Sequence, residues 1–148
     1  MASLNETACV FCQVVAGDAA ASVVLDEERV LVFLDLRQSS EAHVLVIPKL
    51  HRRDLREIES NLAAEVMDAI GRIARAVDEA FKPDGMNVWH SIEEAAGQEV
   101  FHAHFHLLPR WLGDGLLGIY PEPPASPSRA ELDRQAGRIR DALGSVPG

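Results

Sequence analysis

The 148-residue chain has no apolar run approaching the eighteen or so residues that span a bilayer. Residues 1–8 also lack the charged-then-apolar order of a secretory signal, so a cytoplasmic protein with no membrane partner is expected. Positive charge is scarce: 14 Lys and Arg stand against 23 Asp and Glu, giving a formal charge of −9 and a pI near 5.0. That balance argues against electrostatically driven binding to DNA, RNA or an anionic membrane, and an anionic small ligand would need a local positive site. Cysteine is limited to Cys9 and Cys12, one Cys-x-x-Cys pair. In a reducing compartment such a pair favours a metal or redox role over a structural disulfide. The length suits one domain with a sizeable core.

What the chain does have is three of its six histidines at alternate positions of Phe101-His102-Ala103-His104-Phe105-His106-Leu107-Leu108. On a β-strand that alternation puts His102, His104 and His106 on one face and Phe101, Ala103, Phe105 and Leu107 on the other. The outer two imidazoles are then roughly 13 Å apart along the backbone. Zinc accepts nitrogen at about 2.0–2.1 Å, so the three cannot all hold one metal. At most one serves as a ligand shared with other parts of the chain, and the rest are available as bases, acids or nucleophiles. Imidazole suits those roles because its unperturbed pKa of about 6.5 lies next to physiological pH. A single strand histidine is ordinarily a structural residue; three alternating with apolar residues outweigh that reading.

The surrounding pattern is α+β. Residues 22–25 and 29–36 read as a hairpin around Asp26-Glu27-Glu28, and 42–47 as a third strand closed by Pro48. Leu62, Val66, Ile70, Ile73, Val77 and Phe81 recur at steps of four or three, the stripe of a long amphipathic helix capped by Ser60 and ended by Pro83 and Gly85. Residues 86–89 read as a fourth strand, and 100–108 as a fifth that carries the histidines. Residues 116–120 form a Gly-rich tail and 121–127 a Pro-rich linker. Ser128-Arg129-Ala130-Glu131 is a capping box for a last helix running to about Leu143. The expected fold is thus an antiparallel sheet of about five strands with one long helix packed on it and an additional C-terminal helix. The expected domains are 1–120, a linker at 121–127 and a helix at 128–144.

Other candidates gain meaning only in combination. Cys9 and Cys12 would need two further zinc ligands; His51, just past Pro48, is a plausible third, and one histidine of the triad could be the fourth. Alone, the two thiols read equally well as buried and unligated. Gly97-Gln98 offers backbone freedom and an amide near the histidines, or merely a turn. Asp35, at a strand end, could accept hydrogen bonds from sugar hydroxyls. Val10, Phe11, Val14 and Phe33 could line a slot for a flat base, or simply be core.

Taken together, Cys9-Val10-Phe11-Cys12, Phe33-Leu34-Asp35-Leu36, His43-Val44-Leu45-Val46-Ile47-Pro48-Lys49-Leu50-His51 and Gly97-Gln98-Glu99-Val100-Phe101-His102-Ala103-His104-Phe105-His106-Leu107-Leu108 resemble the histidine triad (HIT) family, in its zinc-bearing phosphoramidase-like branch. The resemblance runs from Cys9 to about Arg110. It implies a HIT-like fold and a nucleotide-binding hydrolase or transferase, usually a homodimer whose sheets join edge to edge. By the same matching His104 would attack the α-phosphorus of a nucleotide and form a transient nucleotidyl-histidine. His106 would support the phosphate, with His43 beside the catalytic face and Gln98 nearby. Asp35 would hold the ribose. Val10, Phe11, Val14, Phe33 and Leu36 would line the base pocket, while Ser91, Gly97, Gln98 and Glu99 would lie near the phosphate. Cys9, Cys12, His51 and His102 match the ligands of one structural zinc per chain.

This sequence departs from the family pattern at three places. Glu99 stands where Ser or Thr is common, Ser91-Ile92-Glu93 replaces an Asn-Asn-Gly-like turn, and Ala42 precedes His43 where Gly is usual. Regular strand alternation turns Glu99 away from the histidine face, and a bulge near Gly97 would reverse that. The leading expectation is hydrolysis of a purine nucleoside phosphoramidate or related conjugate to release a nucleoside monophosphate. Alternatives are a dinucleoside polyphosphate hydrolase, a non-catalytic nucleotide-binding or adaptor module, and a catalytic zinc with an open coordination position.

Overall fold

A computed structural model describes residues 8–116 and 126–145 of the chain. The chain divides into two compact units after Asp114. The first holds a five-stranded, wholly antiparallel sheet. Its strands are β1 (Val23–Asp26), β2 (Val30–Leu34), β3 (Val44–Pro48), β4 (Gly85–Trp89) and β5 (Phe105–Arg110), in the spatial order β1-β2-β3-β5-β4. Two helices accompany them, α1 (Val10–Ala16) and the 22-residue α2 (Ser60–Phe81).

β2 and β3 are apolar at nearly every position because both faces of the sheet are covered. Val30, Val32, Val44, Val46, Phe105 and Leu107 point to one side and pack with Leu62, Val66, Ala69, Ile70, Ile73 and Val77 of α2. Leu31, Phe33, Leu45 and Ile47 point to the other, where Phe11 of α1 closes a smaller cluster. The long helix therefore forms the floor of the domain. The opposite face carries α1 and the histidines.

Several local expectations are corrected. Phe81 ends the apolar stripe of α2 in the sequence, yet it is 42 % exposed, because the helix runs past the edge of its cluster. Ser60 is the first helical residue rather than the cap; Glu59 occupies the cap position and makes no side-chain capping bond. The helix stops at Lys82, which adopts the left-handed conformation and donates its N–H to Asp78 O (3.0 Å) ahead of Pro83. α1 was not expected at all. Its Val-rich sequence disguises a helix that ends in a Schellman turn, in which Gly17 (φ 82°) donates to Val14 O and Asp18 to Gln13 O.

The most consequential correction concerns β5. It begins at Phe105, not at residue 100, and residues 99–104 follow an irregular path. Gly97 (φ 87°) closes the short 3₁₀ turn at Glu94–Ala96 in the left-handed region, which removes the segment after it from the sheet register. Only His106 of the three histidines lies in a strand, paired with Leu45 and Trp89. Phe101 is not core; its ring carries the Arg53 guanidinium 4.2 Å above it.

In the second unit, α3 (Arg129–Leu143) is capped by Ser128, whose Oγ accepts from the Glu131 N–H (3.2 Å). The reciprocal half of the capping box is not made, because the Glu131 carboxylate is taken by Arg134 and Gln135. Residues 117–125, which include most of the expected tail and linker, lie outside the described residues.

Leu62 is fully buried between α2 and the sheet. Leu62→Ala is expected to cost about 3 kcal/mol in urea unfolding with an unchanged denaturant slope. Phe81→Ala is expected to stay within about 0.5 kcal/mol of the parent. Equal losses at the two positions would contradict this assignment of the core.

Candidate active site

The irregular segment is held by imidazoles and amides bonded to backbone carbonyls. His102 Nε2 donates to Pro48 O (2.8 Å), and His104 Nδ1 to His102 O (2.7 Å). His90 Nδ1 donates to His104 O (2.8 Å), while His90 Nε2 accepts from the Leu55 N–H (3.1 Å). A carbonyl can only accept, so each of these bonds decides which ring nitrogen carries the proton. His102 therefore keeps a lone pair on Nδ1, and His104 keeps one on Nε2. His104 is 6 % exposed, and burial lowers its pKa, so its ring is neutral at physiological pH. It has the protonation state of a nucleophile.

His102 turns its free Nδ1 toward the two thiols. The Sγ atoms of Cys9 and Cys12 both lie 3.5 Å from it, and Cys12 Sγ is 3.3 Å from His51 Nδ1. All four ligand atoms fall within 4.8 Å of one another. Zinc–sulfur and zinc–nitrogen bonds of about 2.3 and 2.05 Å at the tetrahedral angle span an S···N edge of about 3.5 Å, so the donors fit that ion in spacing and in chemistry. The His102–Pro48 hydrogen bond is the outer support that metal-ligating histidines usually have. α1 explains why the thiols converge: Cys9 stands at its N-cap and Cys12 one turn later, on the side that faces His102.

Beyond His104 a second cluster forms. His106 Nδ1 and His43 Nε2 are 2.9 Å apart and share a hydrogen bond, and Asp35 Oδ2 lies 3.7 Å from His43 Nε2. A metal between two nitrogens would hold them about 3.3 Å apart, so this spacing belongs to a shared proton. Trp89 lies flat on His106, with ring centroids 4.3 Å apart and planes at 3°. Burial, then the neighbouring His104 and His43, push the His106 pKa down to about 4; burial also lowers that of His43. His43, His104, His106, Asp35 and Trp89 all line one cleft of about 600 Å³, a size that suits a nucleotide.

Of the three anchored histidines, His104 and His106 stand at the wall of this cleft. The HIT domain model matches residues 16–111. The chain belongs to the HIT domain family. It is 42 % identical over 113 residues to Protein hit of Bacillus subtilis, covering 76 % of this chain and 78 % of that one. It is 32 % identical over 120 residues to the adenosine 5'-monophosphoramidase hnt1 of Schizosaccharomyces pombe, covering 80 % of this chain and 87 % of the relative. Among solved structures, SMU.412c from Streptococcus mutans superposes with a TM-score of 0.86 at 41 % identity, covering 92 % of this chain and 85 % of that chain. The Cys9–Cys12 pair precedes the span matched by the HIT model.

Most of the residues expected from the HIT resemblance meet around the cleft. Phe11 lines it, edge-on to Phe33 (5.5 Å) and to His104 (5.2 Å), and so do Val10 and Val14. Leu36 is 89 % exposed on the rim rather than in the wall. Gly97 lines the cleft through its backbone; a side chain there would have room but not the required φ.

The expectation for Gln98 is overturned. Gln98 is 2 % exposed and its amide is spent on the scaffold: Oε1 accepts from the Glu93 N–H, and Nε2 donates to Arg53 O and Val100 O. It supports the loop and does not face the cleft. Glu99, for which regular alternation and a bulge near Gly97 give opposite directions, lines the cleft and pairs with Arg37, because the irregular backbone after Gly97 breaks the strand alternation. Ser91 is not among the residues lining the cleft. Glu93, the last residue of the Ser91-Ile92-Glu93 turn, has a positive φ of 70°, a conformation costing about 1–3 kcal/mol. Its carboxylate is gripped by Arg53 (2.9 Å) and Arg56 (2.6 Å).

Sequence reasoning passed over Trp89, His90 and Arg37. Trp89 and His90 sit at and just after the end of β4, where an aromatic residue reads simply as strand.

An unfolded chain binds a proton at His106 near pH 6.5, whereas the folded chain binds it only near pH 4. The stability associated with this group is therefore complete above about pH 6.5 and is lost as the pH falls toward 4. The urea midpoint is expected to drop across that window, and His106→Asn to reduce the slope by up to about one proton. An unaltered slope in the variant would contradict the burial of a neutral His106.

Proposed function

We propose that the protein hydrolyses a purine nucleoside phosphoramidate, or a related mononucleotide conjugate, at its α-phosphate and releases a nucleoside monophosphate. The observation that carries this reading is the tautomer of His104, which leaves an unprotonated Nε2 at the wall of the cleft. In the first step Nε2 bonds to the α-phosphorus as the phosphorus–nitrogen bond breaks, and the departing amine takes up a proton. In the second step water attacks phosphorus and the phosphorus–Nε2 bond breaks. Water thus supplies hydroxyl to the phosphate and, over both steps, hydrogen to the amine.

His106, fixed in plane by Trp89 and coupled to His43, is suited to hold the phosphate and to relay protons. Asp35 would take the ribose hydroxyls, with the base between Phe11, Phe33, Val10, Val14 and the rim at Leu36. Gly97 would let the phosphate approach the backbone, and Gln98 would act as a positioning residue beneath it. Ser91 has no lining position that supports direct contact.

The four-donor cluster of Cys9, Cys12, His51 and His102 is proposed to bind one zinc ion. A bound ion would cross-link α1 to the segment carrying His104, a structural role, since four protein donors leave no open position for substrate. The protein is also proposed to pair as a homodimer through an open sheet edge, where β1 and β4 leave backbone groups available. No helix among the described residues is long and apolar enough to cross a membrane, and a cytoplasmic location is proposed from composition.

Incubation with adenosine phosphoramidate is expected to release AMP, with His104→Ala slower by about a thousandfold or more. Equal release by both proteins would remove His104 as nucleophile. Tight AMP binding with no turnover of any amidate, anhydride or dinucleotide would favour the binding-module reading instead. Elemental analysis of protein purified without added metal is expected to find about one zinc per chain, lost in Cys12→Ser together with thermal stability. Absence of zinc from the parent would remove that assignment and leave His104 untouched.

A further inference from the structure

Glu99 has a position that a nucleotide pocket does not by itself require. Among the described residues lining the cleft, Arg37 is the one permanent cation, and it faces Asp35 and Glu99 as carboxylates. Arg37 and Glu99 meet as an ion pair in which both side chains are largely exposed. Pairs of this kind are weakly held and exchange partners readily. Glu99 also borders a neighbouring surface cavity of about 630 Å³, whose lining includes a second carboxylate, Glu57. Among the described residues Arg53 is the one arginine lining that cavity, and it is occupied: its guanidinium bonds Glu93 at 2.9 Å and lies over Phe101.

Resting on the phosphoramidase reading above, we infer that Glu99 selects substrates whose leaving amine carries a second, positively charged group. A substrate with an anionic phosphate and a cationic leaving group matches both ends of the resting pair. Its phosphate can satisfy Arg37 while its ammonium satisfies Glu99, so breaking the pair strands neither charge. An anionic leaving group, such as a further phosphate or a carboxylate, can replace Glu99 at Arg37 but leaves the Glu99 and Asp35 carboxylates facing added negative charge. A neutral leaving group lies between the two. A dinucleoside polyphosphate, whose leaving group is anionic, is disfavoured for the same reason. The chemistry at phosphorus is unchanged: the phosphorus–nitrogen bond breaks as that to His104 forms, and the distal ammonium takes no part in bond making.

The test compares three adenosine 5'-phosphoramidates of similar length, made from 1,4-diaminobutane, its mono-acetylated form and 4-aminobutyrate. Their distal groups are cationic, neutral and anionic. Values of kcat/KM are measured for the parent, Glu99→Gln and Glu99→Ser at low and high salt. In the parent the cationic conjugate is expected to exceed the anionic one by tenfold or more, a ratio that shrinks with salt. In both variants the ratio is expected to fall to within about threefold, chiefly through faster turnover of the anionic conjugate. AMP release with no charge preference in the parent, or a preference that survives both substitutions, would overturn the inference and leave the hydrolase reading standing. No AMP release from any of the three, or from adenosine phosphoramidate itself, would overturn both.

Discussion

The carbonyl oxygens of Pro48, His102 and His104 each accept one imidazole N–H, and the candidate site depends on those bonds. They do two things that side-chain packing alone does not. They hold in place a segment that has left the β-sheet ladder, with Ala103 N–H to Arg52 O (2.6 Å) and the Gln98 amide adding further ties to the same neighbouring loop. They also sort the proton on each ring. His102 and His104 become opposite tautomers, one offering Nδ1 to a pair of thiols and the other offering Nε2 to a cleft. Two histidines separated by one residue thereby present different ring nitrogens to different surroundings.

The sheet makes this arrangement possible because its two faces are unequal in what covers them. α2 supplies a long, wholly apolar stripe to one face, and this is where the larger core cluster lies. The other face is covered by the short helix α1, whose Phe11 touches Phe33, His102 and His104. A helix of seven residues has little stability of its own, so its position depends on tertiary contacts. Phe11, Val14 and Val15 supply packing contacts, and the Cys9–Cys12–His51–His102 cluster adds a polar one. Burial at this face then lowers the pKa of His43, His104 and His106, so the cleft presents neutral imidazoles to a ligand. Packing, tautomer and protonation state are consequences of one layered design.

Much of this was legible in the residues. The unbroken apolar runs of β2 and β3 and the stripe of α2 follow directly from burial, and the alternating histidines marked the segment that carries the site. The Cys-x-x-Cys pair, with a limit on how many strand histidines can reach one metal, pointed to a mixed ligand set. What escaped detection had no period to betray it. α1 is rich in β-branched residues and is defined by its Gly17 turn. His90 acts through two backbone groups, the His104 carbonyl and the Leu55 N–H. The departure of residues 99–104 from the strand follows from backbone angles at Gly97 and Glu93, and it brings Glu99 to the cleft, while the Gln98 amide just before it is spent on the scaffold. Alternation is a reliable guide only while the ladder lasts.

The account turns on His104 Nε2 as the atom that takes the phosphorus. Rapid acid-free quenching of a reaction with adenosine phosphoramidate, followed by mass analysis of proteolytic fragments, reads that atom's role directly. The account predicts one adenylyl group on the peptide containing His104, absent from His104→Ala and chased away by water on longer incubation. An adenylyl group on a different residue, or AMP release at full rate in a protein whose His104 is never modified, would contradict it.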